Sequence, residues 1–425
     1  MSQLVEYPQT RNTWCSNPLA RGADGILRYV NLNPALTELL DVQVHAFSAR
    51  EAVVEIGGPG GHETRLTYRQ LWHSASRIAG GLQERGIGYG DRVAVRMPVG
   101  AHWVQAFLGA LLSGAVPVLV PDGLPDALAA QVLSDSCADF VLDGGGAGAG
   151  YTDLPDGTAY IDDGASLGEL AVLCYTSGVI ALDGSNPHPP KGVELTNENL
   201  LSAVRSMVGA LDLPTDGLRN LVLLPMAHAS GCVDQMLPTF AVGGTVVLST
   251  DPALIAETIL AEHIDTVSAT PRIFAGLLPE LAGLRAEGVR QVCSAGHRTE
   301  LAATDPGTCE IVAAALREVF PLARQWSVWG ATETSGIGLA LADSAGLAGA
   351  PHPRDLLGLP FGGTELALWG PRAGSGHGEL LCRGPNVTRG YWNDPQTTES
   401  RFTGAWFHTG NQVDIDQDGL VHRAE

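Results

Sequence analysis

A chain of 425 residues, 45% of them hydrophobic, is long enough to enclose more than one core, which excludes a disordered or fibrous polymer. Its 46 acidic against 25 basic residues give a formal charge of −21 with no long like-charge run, so an extended nucleic-acid surface and anionic-membrane contact are excluded. An anionic substrate must then be held by a local exception to that field. The seven cysteines, Cys15, Cys137, Cys174, Cys232, Cys293, Cys309 and Cys382, are scattered, odd in number and without CxxC spacing; they read as reduced core thiols of a cytoplasmic protein.

Met1-Ser2-Gln3-Leu4-Val5-Glu6 carries neither the basic nor the apolar segment of a secretory signal. From Leu66 onward the pattern alternates amphipathic helices with short β-branched runs: helix over 68–85, strand over 92–95, helix over 102–112, strand over 116–120. The longest apolar stretch, 106–120, is broken by Ser113 and Pro117 and is short for a bilayer span. Asp143-Gly144-Gly145-Gly146-Ala147-Gly148-Ala149-Gly150 predicts a flexible surface loop, with no GxGxxG following a strand. Further apolar runs at 140–142, 171–174, 221–224, 245–248, 266–268 and 290–293 predict mostly parallel sheets covered on both faces. Several run straight into Gly, Ser, Thr or His, where ligands of open α/β sheets gather.

The chain's single lysine, Lys191, stands in Pro190-Lys191-Gly192 downstream of Tyr175-Thr176-Ser177-Gly178. A Gly- and hydroxyl-bearing turn after an apolar strand offers N–H and O–H donors to an anion, and one ammonium completes a phosphate cradle. A Pro/Gly turn with an ordinary surface cation is the competing reading. A Walker A loop is excluded, since no Gly directly precedes Lys191 and no Ser or Thr directly follows it.

Beyond residue 345 the character changes to short alternating strands, at 364–369, 379–383, 406–408, 412–416 and 420–422. Asp416-Gln417-Asp418-Gly419 supplies hairpin chemistry, so a small antiparallel β-barrel or meander docked on the α/β body is expected.

Four segments in this order, Tyr175-Thr176-Ser177-Gly178 with Pro190-Lys191-Gly192-Val193, Leu224-Pro225-Met226-Ala227-His228-Ala229-Ser230-Gly231, Trp329-Gly330-Ala331-Thr332-Glu333, and Gly378-Glu379-Leu380 through Gly390-Tyr391-Trp392-Asn393 to Trp406-Phe407-His408-Thr409-Gly410-Asn411, resemble the adenylate-forming superfamily of acyl-CoA ligases, peptide-synthetase adenylation domains and luciferases. The resemblance implies the superfamily's large domain: two packed, mostly parallel sheets with helices plus a small antiparallel barrel, here divided as 1–190, 191–345 and 346–425. It implies activation of a carboxylic acid with Mg2+ and ATP to an acyl-adenylate, then transfer of the acyl group to a thiol, commonly that of coenzyme A. A carboxylate is a poor acyl donor because its leaving group would be oxide; the mixed anhydride with AMP supplies a better one.

By the same resemblance Glu333 is the magnesium ligand, a role for a hard oxygen donor, and Thr332 hydrogen-bonds the α-phosphate. Trp329 lines the adenine and acyl pocket, Gly330 and Ala331 bind nucleotide beside it, and Thr176, Ser177, Gly178, Lys191 and Gly192 form the phosphate loop. Ser294-Ala295-Gly296-His297-Arg298 occupies the adenine-binding turn, with Gly296, His297 and Arg298 facing nucleotide. Asn411 stands at the ribose, and His228 lies between acyl pocket and thiol tunnel, in a pocket with Met226, Ala227 and Gly231. The small residues there suggest room for a bulky apolar acid. Structural alternatives are a salt-bridged glutamate at 333, a core tryptophan at 329 and a packed histidine at 228.

Three departures concern the nucleotide. Val179 and Ile180 replace two hydroxyl residues of the phosphate loop, and an insertion, 181–189, brings Asp183 to where β- and γ-phosphates would lie. Asn411 replaces an aspartate that accepts both ribose hydroxyls. His297-Arg298 replaces small apolar residues. Acyl- and thiol-side features are kept, so the pattern predicts weakened ATP-dependent adenylation and a bias toward thioester formation, with a separate adenylating enzyme as partner. The sequence stops just short of the superfamily's hinge, which predicts a large domain without the small C-terminal one. An ordinary ATP-dependent acyl-CoA or acyl-AMP ligase, and a non-catalytic acyl- or nucleotide-binding partner of an active ligase, remain as alternatives.

Overall fold

The computed structural model describes residues 3–7, 18–143, 154–158, 165–176, 189–214, 217–295, 308–342 and 356–424. A five-stranded sheet runs Gly192–Thr196, Leu170–Tyr175, Val116–Leu119, Arg92–Arg96, Phe140–Asp143, parallel except for the antiparallel pair Leu170–Tyr175 with Gly192–Thr196. Val93, Ala94 and Val95 are wholly buried, the continuous apolar run demanded of a strand covered on both faces.

The second sheet carries 15 strands. Its parallel part orders Glu51–Ile56, Thr245–Ser249, Arg219–Val222, Thr266–Ala269, Gln291–Ala295 and Arg324–Ala331. From Arg324–Ala331 the pairing turns antiparallel through Gly336–Ala342 and Leu356–Pro360 into Val421–Arg423, Trp406–Ile415, His377–Arg383, Glu365–Gly370 and Gln3–Tyr7. The antiparallel region is therefore hydrogen-bonded into the edge of the α/β sheet. The first sheet takes its edge strand Gly192–Thr196 from beyond residue 190, and the second takes Glu51–Ile56 from before it, so the two sheets interlock across that position.

Helices Tyr68–Gln83, Ala101–Leu112 and Asn197–Ala210 lie in the core shared by the two sheets, with Val95, Leu119 and Val172 of one and Val53, Val222 and Val246 of the other. Two of these helices begin at reciprocal caps. Thr67 and Gln70, and likewise Thr196 and Asn199, exchange side-chain and backbone hydrogen bonds at the first turn.

The observed elements follow the predicted ones to within one or two residues at most ends. One difference is that 406–408 and 412–416 form a single ten-residue strand, Trp406–Ile415. The ladder with His377–Arg383 slips between Glu379 and Leu381, so Thr409-Gly410-Asn411 bulges without ending the strand. The hairpin at 416–419 forms as expected: Asp416 accepts through Oδ1 from the N–H groups of Asp418 and Leu420 at 2.9 Å each, and Gly419 takes φ +81°. Cys174, Cys232, Cys293 and Cys382 are buried thiols, but Cys137 is exposed, which corrects its reading as a core residue. The glycine tract 144–150 lies outside the described residues. Among the described residues no helix is long and apolar enough to cross a membrane.

Candidate active site

The frame of the site is a buried hydrogen-bond lattice from the N-terminus of helix Asn197–Ala210 to the turn Thr332–Thr334. Asn199 donates through Nδ2 to the carbonyls of Pro385 (2.8 Å) and Val387 (3.0 Å), fixing that segment. Asn386 then donates to the Thr334 carbonyl at 3.0 Å, Ser335 Oγ donates to the Asn386 carbonyl at 2.7 Å, and the Thr388 N–H donates to the Glu333 carbonyl at 2.8 Å. Such a fully satisfied buried network holds a single geometry, because breaking any member strands a desolvated polar group. Downstream, Val193 bridges Tyr391 and the Trp392 N–H donates to the Gly192 carbonyl at 2.8 Å, so the edge strand of the first sheet is tied to the same segment.

This frame aims Tyr391 at Glu333. The Tyr391 hydroxyl donates to Glu333 Oε1 at 2.7 Å, with Glu333 8% and Tyr391 5% exposed. Burial first, and then the adjacent carboxylate, push the phenol well above its ordinary pKa, so the O–H stays a donor. Lys191 stands over the Tyr391 ring: its Nζ lies 5.5 Å from the ring centroid and donates to Thr397 Oγ1 at 3.2 Å. Its backbone is pinned as well, by Lys191 N–H to Thr176 Oγ1 and Thr176 N–H to the Lys191 carbonyl, both 3.0 Å. Hydrogen bonds from Thr397, supplemented by the Lys191 charge, hold the Asp394 carboxyl below the usual range. One phenol thus links the lone lysine to the candidate metal-binding carboxylate. Among the described residues the hydrogen bond to the Glu333 side chain comes from Tyr391, and no basic side chain pairs with it.

The segment Trp329-Gly330-Ala331-Thr332-Glu333 passes from strand into the short turn Thr332–Thr334. Thr334 Oγ1 donates to the carbonyls of Ala331 (3.0 Å) and Gly336 (2.6 Å), clamping the turn, while the half-buried Thr332 hydroxyl has no hydrogen-bond partner among the described residues. A Cβ on Gly330 would fall 2.1 Å from the Gly336 carbonyl oxygen, so only glycine permits this approach of the two strands. Gly330→Ala is expected to destabilise the protein by about 2–3 kcal/mol, read as a lower urea midpoint at unchanged slope. An unshifted midpoint would show that the strands can part there without cost. Trp329 is 4% exposed and packs with Leu339, Leu380, Phe407 and Val413 in the antiparallel core, yet its indole N–H has no acceptor among the described residues.

His228 follows strand Arg219–Val222 in a turn closed by its own N–H to the Pro225 carbonyl at 3.2 Å. Burial lowers its pKa, which leaves a neutral imidazole at neutral pH. Helix Ala229–Gly231 behind it packs on Gly336–Ala342, the strand that follows the Glu333 turn. The expectation of spare room here is corrected. Met226 is wholly buried in the main core, and a Cβ on Gly231 would lie 2.3 Å from the Pro225 carbonyl oxygen, so the small residues serve close chain approach. Ala227 is buried as well.

Gly192 opens its strand opposite Tyr175. Asn411, in the bulge of Trp406–Ile415, donates through Nδ2 to the Thr409 carbonyl at 3.0 Å, which fixes its amide and leaves Oδ1 as its outward acceptor. No hydrogen bond between described residues joins His228 or Asn411 to Lys191, Tyr391 or Glu333. Ser177, Gly178, Val179, Ile180 and the insertion up to residue 188, with Gly296, His297 and Arg298, lie outside the described residues. The sequence marks Tyr391 within a motif without a role and does not mark Asn199 or Asn386; these are ordinary polar residues whose signal is burial, visible only in the fold.

The AMP-binding enzyme family model matches residues 40–392. The chain is 28% identical over 390 residues to a feruloyl-CoA synthase of Amycolatopsis sp, covering 84% of this chain and 73% of that protein. It is likewise 28% identical over 388 residues to the long-chain-fatty-acid–CoA ligase FadD13 of Mycobacterium tuberculosis, covering 85% and 73%. Its fold matches the N-terminal domain of FACL13 from Mycobacterium tuberculosis with a TM-score of 0.75 at 24% identity, over 92% of this chain and all of that one. O-succinylbenzoate coenzyme A synthetase from Bacillus subtilis, solved with ATP and magnesium ion, matches with a TM-score of 0.76 at 22% identity, over 92% and 79%. Motif order, fold and family match agree: the chain belongs to the AMP-binding enzymes of the adenylate-forming superfamily, among the relatives of acyl-CoA ligases.

Proposed function

We propose that the chain binds an acyl-adenylate and transfers its acyl group to the thiol of coenzyme A, with ATP-dependent adenylation weakened. The observation that carries the acyl-adenylate part is the Lys191, Tyr391, Glu333 array: a cation over the ring of one tyrosine and a buried carboxylate oriented by its hydroxyl. Among the described residues no three His, Cys, Asp or Glu side chains gather to cage a metal. A single hard oxygen ligand of this kind suits magnesium, which keeps water and substrate phosphate oxygens in its shell and would neutralise charge on them when bound. Lys191 and the Thr332 hydroxyl would face phosphate, Asn411 Oδ1 a ribose hydroxyl, and the Trp329 N–H an acceptor on the ligand.

In the thiol step the thiol gives its proton to solvent and its sulfur attacks the acyl carbon, the carbon–oxygen bond to the phosphate breaks, and AMP departs with the electron pair. In adenylation the acid's carboxylate attacks the α-phosphorus and pyrophosphate leaves. The departures at Val179, Ile180 and 181–189 bear on the second reaction alone, because only ATP carries β- and γ-phosphates. The intact array favours a second reading, an ordinary ATP-dependent acyl-CoA ligase. Supplying the chain with preformed acyl-adenylate and coenzyme A is expected to give thioester and AMP, faster than acid, ATP and coenzyme A give thioester. Equal rates would establish the ordinary ligase; no thioester from either mixture would establish a non-catalytic partner.

His228→Ala is expected to slow thiolysis about tenfold while leaving acyl-adenylate affinity nearly unchanged, since the imidazole stands toward the thiol side and not on phosphate. Single-turnover thiolysis and calorimetry separate the two; equal losses in both would mark His228 as a packing residue.

A further inference from the structure

Arg401 is a cation that no carboxylate of the described residues pairs with, and it stands beside the Tyr391–Glu333 pair. It ends helix Pro395–Arg401 one turn after Thr397, so its side chain leaves the same face as the threonine that holds Lys191. The half-buried guanidinium lies over Phe407, its central carbon 5.4 Å from the ring centroid. Its charge and side-chain hydrogen bonding act on the Tyr391 phenol, whose hydroxyl donates to Glu333. It also lies against the bulge that carries Asn411, since a Cβ built on Gly410 would meet Arg401 Nη1 at 3.7 Å.

Arg383 and Arg389 of the same region are neutralised by Glu365 and Glu194, so the missing counter-ion is particular to Arg401. A cation in the last turn of a helix is favoured by the helix dipole wherever its side chain points. That alone does not bring the guanidinium onto Phe407 and Tyr391. Stacking on a ring occupies the face of a guanidinium and leaves N–H donors at its edge, the arrangement that suits phosphate oxygens. For an adenylate this place has one chemical meaning. The α-phosphate joins the ribose, at Asn411, to the acyl group, and its oxygens face the metal side, at Glu333. A cation that touches both the Asn411 bulge and the Tyr391–Glu333 pair lies along that phosphate.

We propose that Arg401 binds the α-phosphate of the adenylate and takes up the charge that AMP gains as it leaves. This rests on the acyl-adenylate reading above and adds to it a cation outside the phosphate loop. In thiol transfer the sulfur–carbon bond forms and the thiol proton goes to solvent. The bond from the acyl carbon to the phosphate oxygen breaks, and its electron pair stays on that oxygen. The phosphate thereby passes from a singly charged group to one with a second pKa of about 6, mostly doubly charged at neutral pH. In adenylation the α-phosphate keeps a single charge, because the new charge departs with pyrophosphate. A guanidinium here therefore stabilises charge that develops in the thiol step alone.

The test is calorimetry on the whole chain in EDTA, so that no metal stands on Glu333, with three probes of graded charge: adenosine, hexanoyl-sulfamoyl adenosine and AMP. Arg401→Met keeps an unbranched side chain over Phe407 and removes the charge. It is expected to weaken AMP about tenfold or more, the singly charged analogue by less, and adenosine by less than about twofold. Arg401→Lys, which keeps the charge without the planar fork, is expected to fall between the unaltered protein and Arg401→Met. A loss for AMP no greater than that for the analogue overturns the inference, as does unchanged AMP affinity. An AMP loss that appears only when magnesium is restored also overturns it, because Arg401 would then act through Tyr391 and Glu333 and not on phosphate. Failure of the unaltered protein to bind any of the three probes overturns the acyl-adenylate reading, and this inference with it.

Discussion

Glu333→Gln is expected to lower magnesium-dependent acyl transfer by on the order of a hundredfold, and to raise the magnesium concentration needed for half-maximal rate. In the proposed site the Glu333 carboxylate would supply the hard anionic oxygen, and an amide offers one neutral oxygen in its place. The neighbouring geometry makes the variant informative. Tyr391 donates to Glu333 Oε1 at 2.7 Å, and a glutamine oxygen can accept the same bond, so the fold should survive while the charge is lost. Tyr391→Phe removes the donor that orients the carboxylate but not the charge, and a loss of about tenfold is expected, in magnesium dependence more than in acyl-adenylate affinity. Because Tyr391 acts through Glu333, the double variant should be no worse than Glu333→Gln alone. Magnesium titrations of all three variants check this; unchanged magnesium dependence in Glu333→Gln would remove Glu333 from the site, and additive losses would give Tyr391 a separate role.

How far this site can be read from the sequence depends on whether a residue's job is local. The buried strand Val93-Ala94-Val95 and the Asp416 to Gly419 hairpin are legible because hydrogen-bonding partners or faces lie within a few positions. The break expected near Gly410 is not one, because a bulge absorbs the extra residues while the ladder with His377–Arg383 resumes on either side. Gly231 reads as pocket space in one dimension and is filled by the Pro225 carbonyl in three. The pairing of Tyr391 with Glu333 spans 58 positions, and that of Asn199 with Pro385 spans 186; no periodicity carries them. Lys191 was legible for the opposite reason: it is the one lysine of the chain, so its chemistry stands out before its neighbours are known.

ATP is expected to bind on the order of a hundredfold or more weakly than a non-hydrolysable acyl-adenylate analogue. Two hydroxyl donors of the phosphate loop are replaced by Val179 and Ile180, and a hydrogen bond to a charged group is worth roughly 1.5–3 kcal/mol, so the pair accounts for at least that ratio. If the inserted Asp183 stands near the β- and γ-phosphates, as the resemblance implies, its repulsion would act in the same direction. The structure bears on the one cation that remains. Lys191 Nζ already donates to Thr397 and faces the Tyr391 ring, so turning it toward a triphosphate exchanges contacts rather than simply adding them. Any contribution of Asn411 and His297 to nucleotide binding would affect both ligands alike, because both contain adenosine, and could not produce the difference. Calorimetry with ATP and the analogue at equal magnesium measures it directly. If the loop is the cause, Val179→Thr together with Ile180→Ser should recover part of the ATP affinity and leave the analogue's unchanged; comparable affinities in the unaltered protein would mean that the loop is competent and that adenylation is not the weakened half-reaction.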